Sequence, residues 1–116
     1  MMPRGEVLLV DLDTGRGSEA SNRRPAVLVS NDRANTVARR LGRGVVTVVP
    51  LTSNITRIFP FQVLVAADKS GLRVDSKAQC EQVRSVAVER IGPTLGQIPA
   101  SIMVDIDEAL RLHLDL

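Results

Sequence analysis

Cysteine, histidine and aromatic residues are almost missing from this 116-residue chain, which holds one cysteine, one histidine, two phenylalanines and neither tyrosine nor tryptophan. A lone cysteine, Cys80, forbids an internal disulfide and fits a reducing cytoplasm. Ligands of this kind are too few for a cysteine–histidine metal centre, so neither metal nor cofactor is predicted. Cleavage of RNA by two histidines is arithmetically impossible, and a serine–histidine–acid triad would have to recruit His113 from the polar side of a terminal helix. Phe59 and Phe61 alone offer no aromatic platform for stacking bases. No apolar run approaches the roughly 20 residues of a membrane span. Glu6 precedes the first apolar stretch, which is unlike a secretory signal, and no membrane partner is expected.

What is present reads as one ordinary globular domain over residues 1–116, with 44% hydrophobic and 24% charged residues. The formal charge is only +2 but is unevenly spread: residues 1–57 carry nine basic residues, all arginine, against five acids. Arginine's planar fork matches phosphate bidentately where lysine acts as a point charge, so a basic face for nucleic acid is one reading and a solvated surface the other.

Residues 7–13 read as a first strand, apolar on both faces at its start, leading into a polar Gly- and Ser-rich loop over 14–23. Pro25 opens a β-branched strand through Ser30. Asn31–Asn35 signals a turn, and residues up to Arg40 suit a helical turn or excursion. Gly44 introduces the strongest strand pattern, Val45 to Leu51, which Thr52-Ser53-Asn54 breaks. Further strands are predicted over 61–66 and 94–97, with a turn at 68–71. Ala78, Cys80 and Val83 can line a buried face, and Cys80 reads as a small apolar filler. From Ser101 the period changes, and Met103, Ile106, Leu110 and Leu114 form one helical stripe. Short strands at close spacing with one terminal helix predict a small, mainly β antiparallel barrel.

Chemistry has few places to reside. Asp11 and Asp13 share a strand face, a geometry open to Mg²⁺, although carboxylates beside a turn are usually just solvated. Gly15-Arg16-Gly17 lacks the phosphate-loop spacing. Arg23-Arg24-Pro25 at one strand start and Thr52-Ser53 at another strand's end remain. A cation and a hydroxyl brought together can cleave RNA without metal or histidine, because RNA carries its own nucleophile, the 2′-OH. Equally, arginine before proline at a strand start is commonly structural.

The order of motifs narrows this choice. Arg4-Gly5-Glu6-Val7 runs into Val10-Asp11-Leu12-Asp13. Gly17-Ser18-Glu19 follows, then Arg24-Pro25-Ala26-Val27-Leu28-Val29-Ser30-Asn31-Asp32, then Val48-Val49-Pro50-Leu51-Thr52-Ser53. Gly71-Leu72, Glu81-Gln82-Val83-Arg84 and Ile106-Asp107-Glu108-Ala109-Leu110 complete the series. Together they resemble the MazF/PemK/Kid toxin family over essentially the whole chain. The resemblance implies an SH3-like barrel with a C-terminal helix, a homodimer, and a ribosome-independent, sequence-specific endoribonuclease acting on single-stranded RNA and silenced by an acidic antitoxin. It implies catalytic roles for Arg24, at the phosphorane and in proton transfer, and for Thr52, at the scissile phosphate. Ser53, Ser18, Glu19, Gln82 and Arg84 fall at substrate-binding positions, and the 17–19 loop at one that moves when antitoxin binds.

This chain departs from the family pattern at Leu8, where an aromatic is frequent, and at Ser85-Val86-Ala87, where an Arg-Thr-x-Asp pattern is frequent. Residues 32–44 look like a variable insertion. The alternative on the same scaffold is a non-enzymatic toxin that poisons DNA gyrase, as CcdB does, since function resides in the site and not the fold. A gyrase binder has no need of the Arg24 and Thr52 pair.

Overall fold

The computed structural model describes residues 2–12 and 23–116. The described chain runs β1 (Glu6–Asp11), β2 (Arg23–Leu28), α1 (Asp32–Leu41), β3 (Val45–Thr52), β4 (Gln62–Val65), α2 (Ala67–Ser70), β5 (Ser76–Gln79), β6 (Arg84–Ala87), β7 (Ile91–Gln97) and α3 (Ala100–Leu114), with single 3₁₀ turns before and after β6. The seven strands form one sheet in the order β4-β5-β3-β2-β1-β7, and β6 also pairs with β3. Every pairing is antiparallel. Among the described residues β4 and β7 do not pair with each other, so the expected barrel is an open one.

Period-2 alternation sorts the strands onto two cores. Val7, Val27 and Val49 face one cluster, which α3 covers with Met103, Ile106 and Ala109. Leu8, Val10, Ala26, Leu28 and Val48 face the other, closed by Met2, Ala38 and Val86. This two-sided burial explains why β1 reads as apolar on both faces. The helical stripe is corrected at its end, because Leu114 is exposed and Ala109 takes the buried place. Cys80 is wholly buried as expected, and burial, aided by the charges of Glu81 and Asp107, pushes its thiol up to about 12.

Several local features differ from the sequence reading. The helical turn expected up to Arg40 is a full ten-residue helix, Asp32–Leu41, with Asn35 and Ala38 buried. Asn31 caps it, its Oδ1 accepting from the Ala34 N–H at 2.8 Å. The turn expected at 68–71 is a single helical turn, and Arg84–Ala87 is a strand that the sequence did not announce. Arg4 ties three elements together. Its backbone N–H donates to Asp32 Oδ1 at 2.6 Å, its Nε to the Val29 carbonyl at 2.7 Å, and its Nη2 pairs with Asp107 at 2.5 Å. The Arg4-Gly5-Glu6 motif is thus a clasp between α1, β2 and α3.

Candidate active site

The β2–β3 ladder runs Leu28↔Val48, Val27↔Val49, Ala26↔Pro50 and stops there. Carried two residues further, the same register sets Arg24 opposite Thr52, on one face of the sheet. One proline stands where this ladder stops, and a second where β3 changes its partner on the other side. Pro25 has no N–H to offer β3, and its strand from that point pairs only with β1, where Leu9↔Pro25 and Val10↔Arg24 are partners. Pro50 lies where β3 leaves β6, last paired at Val48↔Arg84, and joins β5 at Leu51↔Ala78. Its missing donor therefore falls at a break in the ladder.

Beyond that break the strands part around a cleft of about 620 Å³ lined by Arg23, Arg24, Thr52, Ser53, Arg73, Ser76 and Thr94 among others. Arg24 is exposed, and among the described residues no carboxylate lies within ion-pair distance of it. Thr52 Oγ1 accepts from the Asn54 N–H at 3.2 Å, which fixes the hydroxyl oxygen and keeps its O–H as a donor. Thr94 Oγ1 donates to the buried Glu6 carboxylate at 2.5 Å. The arrangement presents guanidinium groups and hydroxyl donors to one open space, the equipment for holding a phosphate and stabilising charge that develops on it.

The residues match the family of PemK-like, MazF-like toxins of type II toxin–antitoxin systems from 3 to 114. The chain belongs to that family. It is 62% identical to endoribonuclease MazF9 of Mycobacterium tuberculosis, covering all of this chain and 98% of the relative. The fold is similar to that of Mycobacterium tuberculosis toxin MazF-mt6, with a TM-score of 0.76 at 24% identity over 96% of this chain and 97% of that one. It is also similar to a mycobacterial endoribonuclease solved in complex with its cognate antitoxin, with a TM-score of 0.72 at 24% identity over 98% and 95% of the two chains.

The toxin's cleft gathers three of the positions singled out by sequence, Arg24, Thr52 and Ser53. Ser18 and Glu19, like Asp13, lie outside the described residues. Gln82 and Arg84 do not line this cleft. Gln82 is exposed in the 3₁₀ turn before β6, and Arg84 donates from Nη1 to the Leu12 carbonyl at 3.4 Å, just ahead of the 13–22 segment. Arg73 and Thr94 were not foreseen. Arg73 follows Gly71-Leu72 in a loop with no pattern of its own, and only the fold brings it into the same cleft as Arg24. Phe59 and Phe61 stack with centroids 5.4 Å apart and planes within 1°, and the Arg57 guanidinium sits 4.9 Å from the Phe59 centroid. Among the described residues no three His, Cys, Asp or Glu side chains converge, and no helix is long and apolar enough to cross a membrane.

Proposed function

We propose that this toxin is an endoribonuclease that cuts single-stranded RNA by activating the RNA's own 2′-OH, with Arg24 and Thr52 as its catalytic residues. The observation that supports this most is the meeting of Arg24 with Thr52 and Ser53 in one cleft at the point where the β2–β3 ladder ends. The relative with 62% identity over the whole chain bears the name of an endoribonuclease, which favours RNA cleavage over gyrase poisoning.

In the reaction the 2′-oxygen forms a bond to phosphorus and the bond to the 5′-oxygen breaks. The 2′-OH loses its proton to solvent and the leaving 5′-oxygen takes one up, giving a 2′,3′-cyclic phosphate and a 5′-OH. A guanidinium does not give up its proton in proteins, so Arg24 serves best as a fixed positive donor to the phosphorane's non-bridging oxygens. Thr52, its oxygen held by the Asn54 N–H, aims its O–H at the same phosphate. Arg23 and Arg73 steer the flanking backbone, and Ser53 adds a second hydroxyl. Ser18, Glu19, Gln82 and Arg84 are assigned to flanking nucleotides. There, base-edge hydrogen bonds select sequence. The protein acts in the cytoplasm as a homodimer. Its silencing partner is an acidic antitoxin, in keeping with the mycobacterial endoribonuclease of similar fold solved with its cognate antitoxin.

Incubation with mixed-sequence RNA in EDTA tests the chemistry. Cleavage should persist, the ends should be 2′,3′-cyclic phosphate and 5′-OH, and an all-2′-deoxy copy should be inert. Cleavage of the deoxy copy, or activity restored only by added Mg²⁺, would refute the mechanism. Sedimentation as a monomer at micromolar concentration would refute the dimer.

A further inference from the structure

At the other end of β3, seven residue steps and about 23 Å from Thr52, α1 and the start of β3 enclose a second cleft of about 450 Å³. Val37, Leu41 and Val45 line it and stand 45%, 59% and 63% exposed. Single exposed aliphatics are ordinary, but three converging from two elements into one cleft form a surface suited to a partner. Arg33 and Arg43 line the same cleft, and Arg40 follows Val37 by one helical turn. Residues 31–45 hold four arginines and one acid, Asp32, which is bonded to the Arg4 N–H. Among the described residues none of these arginines lies within ion-pair distance of a carboxylate.

The walls are built before anything binds. Asn31 caps α1 at its start. At its end Gly42, in the left-handed region at φ 67°, donates its N–H to the Ala38 and Arg39 carbonyls. The wholly buried Asn35 donates to the Ser30 carbonyl at 2.8 Å, and Ser30 Oγ in turn accepts from the Thr47 N–H at 3.0 Å, pinning helix to strand.

We propose that this α1–β3 cleft is a docking site for an acidic amphipathic protein segment, separate from the catalytic cleft. Aliphatic residues of the segment would cover Val37, Leu41 and Val45 while its carboxylates meet Arg33, Arg40 and Arg43. RNA fits less well, because an aliphatic cleft offers bases nothing to stack on, and both phenylalanines lie beyond the opposite end of β3. The site stands on its own geometry and does not depend on the nuclease reading.

The probe is a labelled peptide of about four helical turns, made of glutamate and leucine with leucines at i, i+4 and i+7. A scrambled peptide of the same composition and a single-stranded 2′-deoxy oligonucleotide serve as competitors. Fluorescence anisotropy should show the amphipathic peptide binding at least about tenfold more tightly than the scrambled one. Leu41→Asp should weaken it by at least about tenfold while leaving RNA cleavage and the melting curve unchanged. Arg33→Glu with Arg43→Glu should weaken it similarly and flatten its salt dependence; Val37→Ser gives a second, milder test of the apolar surface. Equal binding of the scrambled peptide, displacement by the oligonucleotide, or no binding with Leu41→Asp altering only self-association would each overturn the proposal, the last in favour of a second copy of this chain.

Discussion

On the proposed mechanism, replacing Arg24 with alanine should separate catalysis from stability. Arg24 sits in the second position of β2, exposed, and no element depends on its side chain for burial. Truncation should therefore alter folding free energy by no more than about 0.5 kcal/mol, a shift of only a few degrees in melting temperature for a chain of this size. Its effect on the reaction should be far larger. Removing one preorganised donor from a developing oxyanion slows turnover by about 10²–10³, or about 2.7–4 kcal/mol of transition-state stabilisation. Arg24→Lys keeps the charge but loses the bidentate fork, so its rate should fall between the two. Thr52→Ala removes one hydroxyl from a phosphate contact and should cost roughly tenfold. Single-turnover cleavage of mixed-sequence RNA, followed beside a thermal melt of each variant, provides both readouts. Arg23 is the internal control, since it lines the same cleft and lies opposite Asp11 in the β1 register. Full activity in a folded Arg24→Ala protein, with activity lost in Arg23→Ala, would refute the assignment.

Three further outcomes follow from the packing. A Cβ added at Gly96 would lie 2.1 Å from the Ser70 carbonyl oxygen, so Gly96→Ala must push backbone from backbone; urea unfolding should show a loss of about 1–3 kcal/mol, with activity falling as Thr94 and Leu95 shift. Cys80 should resist a thiol-specific disulfide reagent until the protein is unfolded. Because the folded thiol is raised from 9.0 to about 12, its contribution is complete below pH 9 and is lost as the pH climbs towards 12, by up to about 1.4 kcal/mol per unit. Denaturation curves across that window should show a smaller decline in Cys80→Ala than in the parent. Arg4→Met should cost about 1–2 kcal/mol by chemical denaturation, mostly through the lost bond to the Val29 carbonyl, since the Arg4–Asp107 pair is one-third exposed and screened.

The sequence was most legible where one residue's chemistry decides its structure alone. The β-branched run from Val45 ends at Thr52 as read, and the helical stripe from Met103 begins on the right face. The stripe failed at Leu114 because a helix near the chain end outruns the sheet it packs on, and periodicity carries no information about where the opposing surface stops. Strand β6 was missed because Arg-Ser-Val-Ala shows a single inward apolar residue, Val86, and four residues are too few for alternation to register. Residues 32–41 are polar enough to suggest no more than a helical turn; the full helix is specified by the Asn31 cap and by Asn35, whose burial is bearable only because Ser30 satisfies its amide. At the site, Arg24 and Thr52 were visible as motif residues. Arg73 and Thr94 were not, because nothing local in their segments says which strand mouth they will face.

The two prolines link the fold to the site. In most sheets a proline within a central strand is a defect, since it deletes a ladder bond and leaves a carbonyl opposite without its donor. Here Pro25 and Pro50 each fall where a ladder has already ended or is changing partners, so neither strands a buried acceptor. Pro25, with no N–H to give β3, leaves the first residues of β2 apart from the last residues of β3 while β1 still grips β2 through Val10↔Arg24 and Asp11↔Arg23. Arg24 is thereby held by its backbone on one side and freed on the other, opposite a threonine that β5 fixes through Thr52↔Lys77. The gap that opens between two otherwise paired strands is the cleft. The Arg24-Pro25 sequence thus supplies both the cation and the break in the sheet that leaves the cation at the mouth of the cleft.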